Sequence, residues 1–272
     1  MSSVWQPPVG PLGDLSAASV ARARVSRVEF GRLVRAALAA TPATPFGAAL
    51  RGAQVRVIAE VKRRSPSKGP INADLDAATR AQAYAAGGAA ALSILTEPER
   101  FGGSLGDLEA ARAAVAIPLL RKDFVMDEVQ LLEARASGAS AVLLIARALP
   151  PARLRELARA SRECGLECLI EVRDEAELER AVREPGAVIG VNNRNLETLV
   201  IDDAVGVRLL PLVPTDRVAV YESGVRDVRD VERAAATGAD AVLVGSVLSA
   251  LSDVEAMRAV QALGGVARQS RG

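Results

Sequence analysis

The chain has 272 residues, half of them hydrophobic, with 34 basic against 33 acidic side chains and a net charge of +1. That length buries one large core or two small ones, and a near-neutral chain with seven aromatic residues and no basic block is not built for nucleic acid or a membrane surface. Met1 to Gly13 lacks a charged start followed by an apolar core, no apolar run reaches the length of a membrane span, and Cys164 and Cys168 have no His to complete a metal site. A cytoplasmic protein with two reduced, core-type cysteines is expected.

Residues 1–54 read as an extension. Helical spacing appears around Leu15–Arg27 and Phe30–Ala39, with Pro42, Pro45 and Gly47 as breaks and too few large apolar residues to fold alone. These helices are expected to lie across the main body. From Val55 one unit repeats: a short apolar run ending in polar residues, a helix-period segment, then often a closing Gly. Strands are expected over Val55–Val61, Ala90–Leu95, Pro118–Arg121, Ala141–Ile145, Glu167–Glu171, Val188–Asn192, Val218–Glu222 and Ala241–Val244. Helices are expected over Leu75–Ala86, Leu105–Ala114, Glu128–Ser137, Ala152–Glu163, Glu175–Arg183, Ala204–Leu210, Val228–Thr237 and Val254–Leu263. Gly87, Gly138, Gly165 and Gly238 stand where a helix can close on a left-handed residue.

Eight strands alternating with eight helices is the pattern of a (β/α)8 TIM barrel. The barrel is assigned to 55–265, with 266–272 as a flexible tail. A doubly wound open sheet is the competing fold, but it seldom runs to eight even units and no Gly-x-Gly-x-x-Gly turn follows the first run.

The first barrel strand carries the most distinctive residues. Positions two apart share a strand face, so Glu60 and Lys62 project together just before Ser65, Pro66, Ser67 and Gly69 force a loop. Taken alone, the stretch fits a solvated basic turn after an edge strand equally well. Lysine usage favours chemistry: among the 34 basic residues only Lys62, Lys68 and Lys122 are lysine. Arg serves solubility and ion pairing but does not release a proton at working pH, so the few lysines stand where a titratable or compact cation is wanted. With no His in the chain, proton transfer near neutral pH falls to Lys, Glu or Asp with shifted pKa values.

Active sites of such barrels lie at the C-terminal ends of the strands. Gathered there are Glu60 and Lys62, Thr96 and Glu97, Lys122 and Asp123, Glu171, Asn192 with Asn193 and Arg194, Glu222 with Ser223, and Gly245 with Ser246. Each alone fits a solvated loop end; the set does not, because uncompensated buried charge costs on the order of several kcal/mol per group. Glu222-Ser223-Gly224 and Val244-Gly245-Ser246 put small residues where backbone N–H groups can approach an anion, in loops that bind phosphate in this fold. A phosphorylated small-molecule substrate is expected.

The runs Ile58 to Gly69, Leu95-Thr-Glu97 with Phe101-Gly-Gly-Ser104, Leu120-Arg-Lys-Asp-Phe124, Leu169-Ile-Glu-Val172, Gly190 to Leu196, Glu222-Ser-Gly224 and Val244-Gly-Ser246 together resemble the indole-3-glycerol-phosphate synthase family of tryptophan biosynthesis, over roughly residues 55–250. The resemblance implies ring closure of 1-(2-carboxyphenylamino)-1-deoxyribulose 5-phosphate with loss of carbon dioxide and water, no cofactor and no metal, and it admits other tryptophan-pathway enzymes as partners. It implies that Lys122 is the general acid at the ketose oxygen, that Glu171 handles later proton transfers, and that Lys62 pairs with the substrate carboxylate or acts as a second acid. Glu60, Asn192 and Glu222 are implied to hold sugar hydroxyls and polarise the lysines, and Ser65, Arg194, Ser223, Gly224, Gly245 and Ser246 to hold the two anionic ends. Lys68 reads as a loop charge. Val129, Tyr221 and Ser249 depart from the family pattern; Tyr221 is expected to face the helices. Another phosphate-binding barrel enzyme, such as a phosphoribosylanthranilate isomerase, would need a Cys and Asp pair where this chain offers Lys62 and Glu171. A non-catalytic barrel would have lost some of the acid–base set.

Overall fold

A computed structural model describes residues 5–271. The apolar runs form strands β1 (Arg56–Val61), β2 (Ala91–Leu95), β3 (Leu119–Lys122), β4 (Ala141–Ile145), β5 (Glu167–Val172), β6 (Val188–Asn192), β7 (Ala219–Glu222) and β8 (Ala241–Val244), each within one residue of its expected bounds. All pair in parallel with their chain neighbours, and β8 pairs with β1 to close the barrel. The intervening helices start where a short acceptor side chain takes an early backbone N–H: Asp76, Ser104, Asp127, Asp174, Asp227 and Ser252 each do so. Gly138, Gly165 and Gly238 take the left-handed conformation after their helices as expected, but Gly87 does not. Its φ is −74° and Gly88 is the left-handed residue; Gly87 is required instead by close packing, since a Cβ there would lie 2.4 Å from the Met257 carbonyl oxygen.

Strand alternation separates two cores. Ile58, Leu120, Leu143, Leu169, Val220 and Leu243 fill the barrel, while Val57, Leu92, Val142, Ile170, Ile189 and Val242 pack outward with residues of the helices. Phe46 and Leu50 join the interior cluster from a four-residue helix, Phe46–Ala49, that the Pro and Gly breaks did not foretell. It is held at the floor by Glu167 at the start of β5, whose carboxylate accepts from the N–H groups of Phe46 (2.6 Å) and Gly47 (2.9 Å).

The extension forms α1 (Gly10–Ser26) and α2 (Phe30–Ala39), and both lie on the barrel. Pro11 in the first turn, where no N–H is needed, lets α1 begin earlier than its apolar spacing indicates. Ser19 donates to the Phe124 carbonyl and Arg22 pairs with Asp123 at 3.0 Å, and Ala23 and Leu33 pack on Val129. The stretch 266–271, expected as a flexible tail, is instead bonded to the floor. Val55 donates to the Val266 carbonyl (2.9 Å), and Arg268 and Arg271 both pair with the buried Asp240. A buried carboxylate demands such partners.

Candidate active site

On β1 the pleat turns Ile58 and Glu60 into the barrel and Val57, Ala59 and Val61 outward. Lys62 follows on the Glu60 side, with its Nζ donating to Glu60 Oε1 at 2.6 Å, and Ser93 donates to the other oxygen at 3.4 Å. Gly245 at the end of β8 makes room for this pair: a Cβ there would lie 2.3 Å from Glu60 Oε1 and 2.8 Å from Lys62 Nζ. Gly190 does the same for Glu222, whose Oε1 would lie 2.0 Å from a Cβ. Gly190 was not singled out as functional from sequence, although a lone Gly within a strand pattern is itself a sign of close approach.

Lys122 ends β3 with its Nζ 3.8 Å from Glu171 Oε2, an ion pair too long for a hydrogen bond. Burial works against its charge, but Glu171, Glu222 and Glu60 outweigh that and raise its pKa. Burial likewise opposes the Glu60 carboxylate, and Lys62 and Lys122 overcome it, so its pKa is lowered. Glu222 goes the other way. Burial and the nearby Glu171 push it up to about 8, with Lys122 only partly offsetting them.

Eleven of the twelve candidate residues line one cavity of about 390 Å³ at the mouth: Glu60, Lys62, Ser65, Lys122, Asn192, Arg194, Glu222, Ser223, Gly224, Gly245 and Ser246. The exception is Glu171, which walls a neighbouring cavity of about 140 Å³ while reaching Lys122 with one oxygen. Leu95, Phe101, Phe124, Leu143, Ile145 and Leu196 supply an apolar wall, joined by Pro11 and Leu15 of α1. The aromatic pair Phe101 and Phe124, with centroids 6.3 Å apart, stands in motifs legible from sequence, whereas the contribution of α1 was not.

At the other end, Ser223 (φ 65°) and Gly224 (φ 91°) are consecutive left-handed residues. The left-handed backbone is unfavourable for Ser, and strain of this kind gathers at ligand-binding sites. Ser246 opens a short helix, Ser246–Ser249, beside them. Asn192 Oδ1 accepts from Arg194 N (2.9 Å) and Arg194 donates to the Leu199 carbonyl (2.9 Å), which fixes the guanidinium at the cavity wall. Ser65 sits in a small hairpin of Arg64–Ser65 against Gly69–Pro70, and Lys68 is exposed at the rim.

Other polar residues of the expected mouth are bonded to protein partners, Asp123 among them although it also lines the cavity. Glu97 accepts from three backbone N–H groups of the helix it caps, Asn193 ties the ends of β6 and β7 to the Gly206 N–H, and Asp123 is taken up by Arg22, Arg121 and Thr96. Tyr221 faces the helices as expected, in space that Gly206 leaves open, and Ser249 donates to the Glu60 carbonyl at 3.0 Å. Among the described residues no His, Cys, Asp or Glu cluster is arranged to hold a metal ion, and no helix is long and apolar enough to cross a membrane. Cys164 and Cys168 are free and pack outside the barrel, so neither thiol is available to an isomerase-type Cys and Asp pair.

Fold and site together define a (β/α)8 barrel with paired acidic and basic side chains and two glycine-containing loops at one mouth. The family model for indole-3-glycerol phosphate synthase matches residues 15–262. An indole-3-glycerol phosphate synthase of Nocardioides sp. is 56% identical over 205 residues, covering 75% of this chain and 79% of that protein. One from Streptomyces coelicolor is 51% identical over 222 residues, covering 82% and 86%, and one from Dehalococcoides mccartyi is 48% identical over 210 residues, covering 76% and 81%. The chain belongs to the indole-3-glycerol phosphate synthase family. Among solved structures, ligand-free tryptophan synthase from M. tuberculosis (TM-score 0.61, 15% identity, 82% of this chain and 98% of that one) and 3-hexulose-6-phosphate synthase from Salmonella typhimurium (0.59, 15%, 77% and 98%) share the fold.

Proposed function

We propose that this protein closes the ring of 1-(2-carboxyphenylamino)-1-deoxyribulose 5-phosphate to indole-3-glycerol phosphate, releasing carbon dioxide and water, and so acts as a carboxy-lyase of tryptophan biosynthesis. The observation that carries the reading is one cavity with Lys122 and Glu222 at its base, an apolar aromatic wall on one side and the left-handed Ser223-Gly224 pair on the other. The phosphate lies against Ser223, Gly224, Gly245 and Ser246, and the aromatic ring against Phe101 and Phe124. Lys62, steadied by Glu60, holds the carboxylate with Ser65 and Arg194. Anchoring both ends folds the flexible ketose so that the ring carbon reaches the carbonyl.

Lys122 then gives its proton to the ketose oxygen as the carbon–carbon bond forms. Loss of carbon dioxide restores the aromatic ring; the new hydroxyl then takes a second proton, supplied from solvent through Lys122, and leaves as water, and loss of a ring C–H proton completes the indole. Glu171, 3.8 Å from Lys122, takes that proton and returns it to the lysine. Asn192 and Glu222 hold the sugar hydroxyls. No step requires a metal or an organic cofactor, and a small phosphorylated molecule in a cytoplasmic setting is the partner this chemistry needs. Whether other enzymes of the pathway associate with it is open to co-purification. The test is purified protein with the carboxyphenylamino substrate, followed by indole absorbance and fluorescence: indole should accumulate, and its absence from folded protein would overturn the reading.

A further inference from the structure

The proposed reaction, on which this inference rests, consumes protons. Ring closure places one on the ketose oxygen and loss of the resulting hydroxyl requires a second, while the ring C–H proton is released only as or after the hydroxyl leaves. The substrate carboxylate departs as carbon dioxide, so one proton per turnover is drawn from solvent. Lys122 supplies the first proton and must be recharged while the substrate fills the mouth.

Glu171 is placed for this. One oxygen reaches toward Lys122, and the side chain walls the second cavity, which lies between the loops after β4, β5 and β6 with Leu12 of α1 in its wall. Glu171 and Arg173 both wall this cavity, and two of their buried atoms have no hydrogen-bond partner among the described residues: Arg173 Nε, and Glu171 Oε2, the oxygen that faces Lys122. Buried polar groups are ordinarily met by protein or by water, and a polar cavity of about 140 Å³ has room for several waters. Buried Glu177 stands in the same wall, its Oε2 accepting from Arg173 N at 2.7 Å. We propose that this side cavity is a water-filled proton-entry route that recharges the Lys122 and Glu171 pair while the mouth is occupied, with Glu177 as its relay.

A solvent proton passes to the Glu177 carboxylate, through water to the Glu171 carboxylate, and on to the neutral amine of Lys122, so each carrier returns to its starting state. Burial, reinforced by Asp174, pushes Glu177 up to about 7, which suits a group that must both take and release a proton near neutrality. The charged groups around it are Asp174 and Arg180 on its own helix, Glu171 and Arg173 from β5 and its following turn, Arg147 after β4, and Arg194 and Glu197 after β6. Arg147 and Glu197 are paired at 2.7 Å. Glu177 acts through Glu171 and is a positioning residue, not a catalytic one.

Glu177→Gln keeps an acceptor for Arg173 N but cannot carry the proton. The measurements are Tm, KM and single-turnover indole formation across pH, with and without imidazole. Tm and KM should stay near wild type, while the single-turnover rate falls about tenfold or more above neutral pH. Imidazolium should restore the rate, and Glu177→Asp, which keeps a titrating carboxyl, should recover much of it. Wild-type rates at every pH would overturn the proposal, as would a loss of Tm and rate that neither imidazole nor Asp repairs, since a helix cap alone would behave so. A wild-type protein that makes no indole would instead overturn the proposed reaction, a distinguishable result.

Discussion

Gly245 and Gly190 each leave a space that a carboxylate occupies. From sequence, Gly245 reads as a residue that lets a phosphate approach; in the structure its missing Cβ is also the seat of the Glu60 and Lys62 pair. Gly245→Ala should therefore lower kcat as well as raise KM, and a change in KM alone would confine it to phosphate binding. Gly190→Ala must push Glu222 off its position, and since a misplacement of about 1 Å can cost about 10² in rate, kcat should fall by that order with KM nearly unchanged. Unchanged kcat would mean that Glu222 is not held for catalysis. Glu222 also sets a pH dependence. Its proton is bound more tightly in the folded protein, about 8, than at the ordinary 4.5, so between these values the native state holds more protons than the unfolded chain. Stability falls as pH rises through that window, and the full penalty stands above it. Glu222→Gln should show a Tm advantage over wild type that is small near about pH 5 and grows toward about pH 8; an advantage that shrank with pH would contradict the assignment. At this scale the sequence made Glu60, Lys62 and Lys122 legible, because strand period and the scarcity of lysine are local signals. The roles of Gly190 and Gly245 were hidden because the atoms they admit lie on other strands.

Among the elements, those with a strong period were legible and those defined by what they plug were not. Strands β4, β6 and β8 have their expected bounds because each short apolar run has a polar residue or a glycine within two positions of either end. The helix Phe46–Ala49 has no period to read and exists because Phe46 and Leu50 fill the floor and Glu167, far along the chain, caps it. The closing stretch 266–271 looks like a polar tail in sequence, yet Asp240 binds two of its arginines and the Ala219 N–H. Removing one side of such a buried pair is costly, so Asp240→Ala should destabilise the protein by roughly 3–5 kcal/mol in urea unfolding. KM should not move, because Asp240 precedes β8 and the substrate cavity lies beyond its other end. A loss below roughly 1 kcal/mol would make these contacts solvent-screened surface pairs.

At the scale of the molecule, eight repeats of one unit were enough to read a closed barrel, and the rule that places barrel chemistry at the C-terminal ends of strands located the mouth. Sequence could not tell which rim residues share a cavity. Thr96 and Glu97 occupy rim positions like that of Lys122 but do not line its cavity, Asp123 lines it with its carboxylate bonded to Arg22, Arg121 and Thr96, and Glu171 opens into a second cavity. Those outcomes depend on helices packed over the mouth, above all α1, and on side-chain direction. The central claim is that this mouth performs an acid-catalysed cyclisation with Lys122 as the proton donor. The most direct test is kcat for indole formation by wild type, Lys122→Arg and Lys122→Met across pH, with substrate binding measured in parallel. Since general acid catalysis is typically worth about 10² to 10⁴ in rate, both variants should bind substrate and lose about that much turnover, with Arg scarcely better than Met because it keeps the charge but not the transferable proton. Near-wild-type turnover by Lys122→Arg would contradict the account and pass the acid role to Lys62.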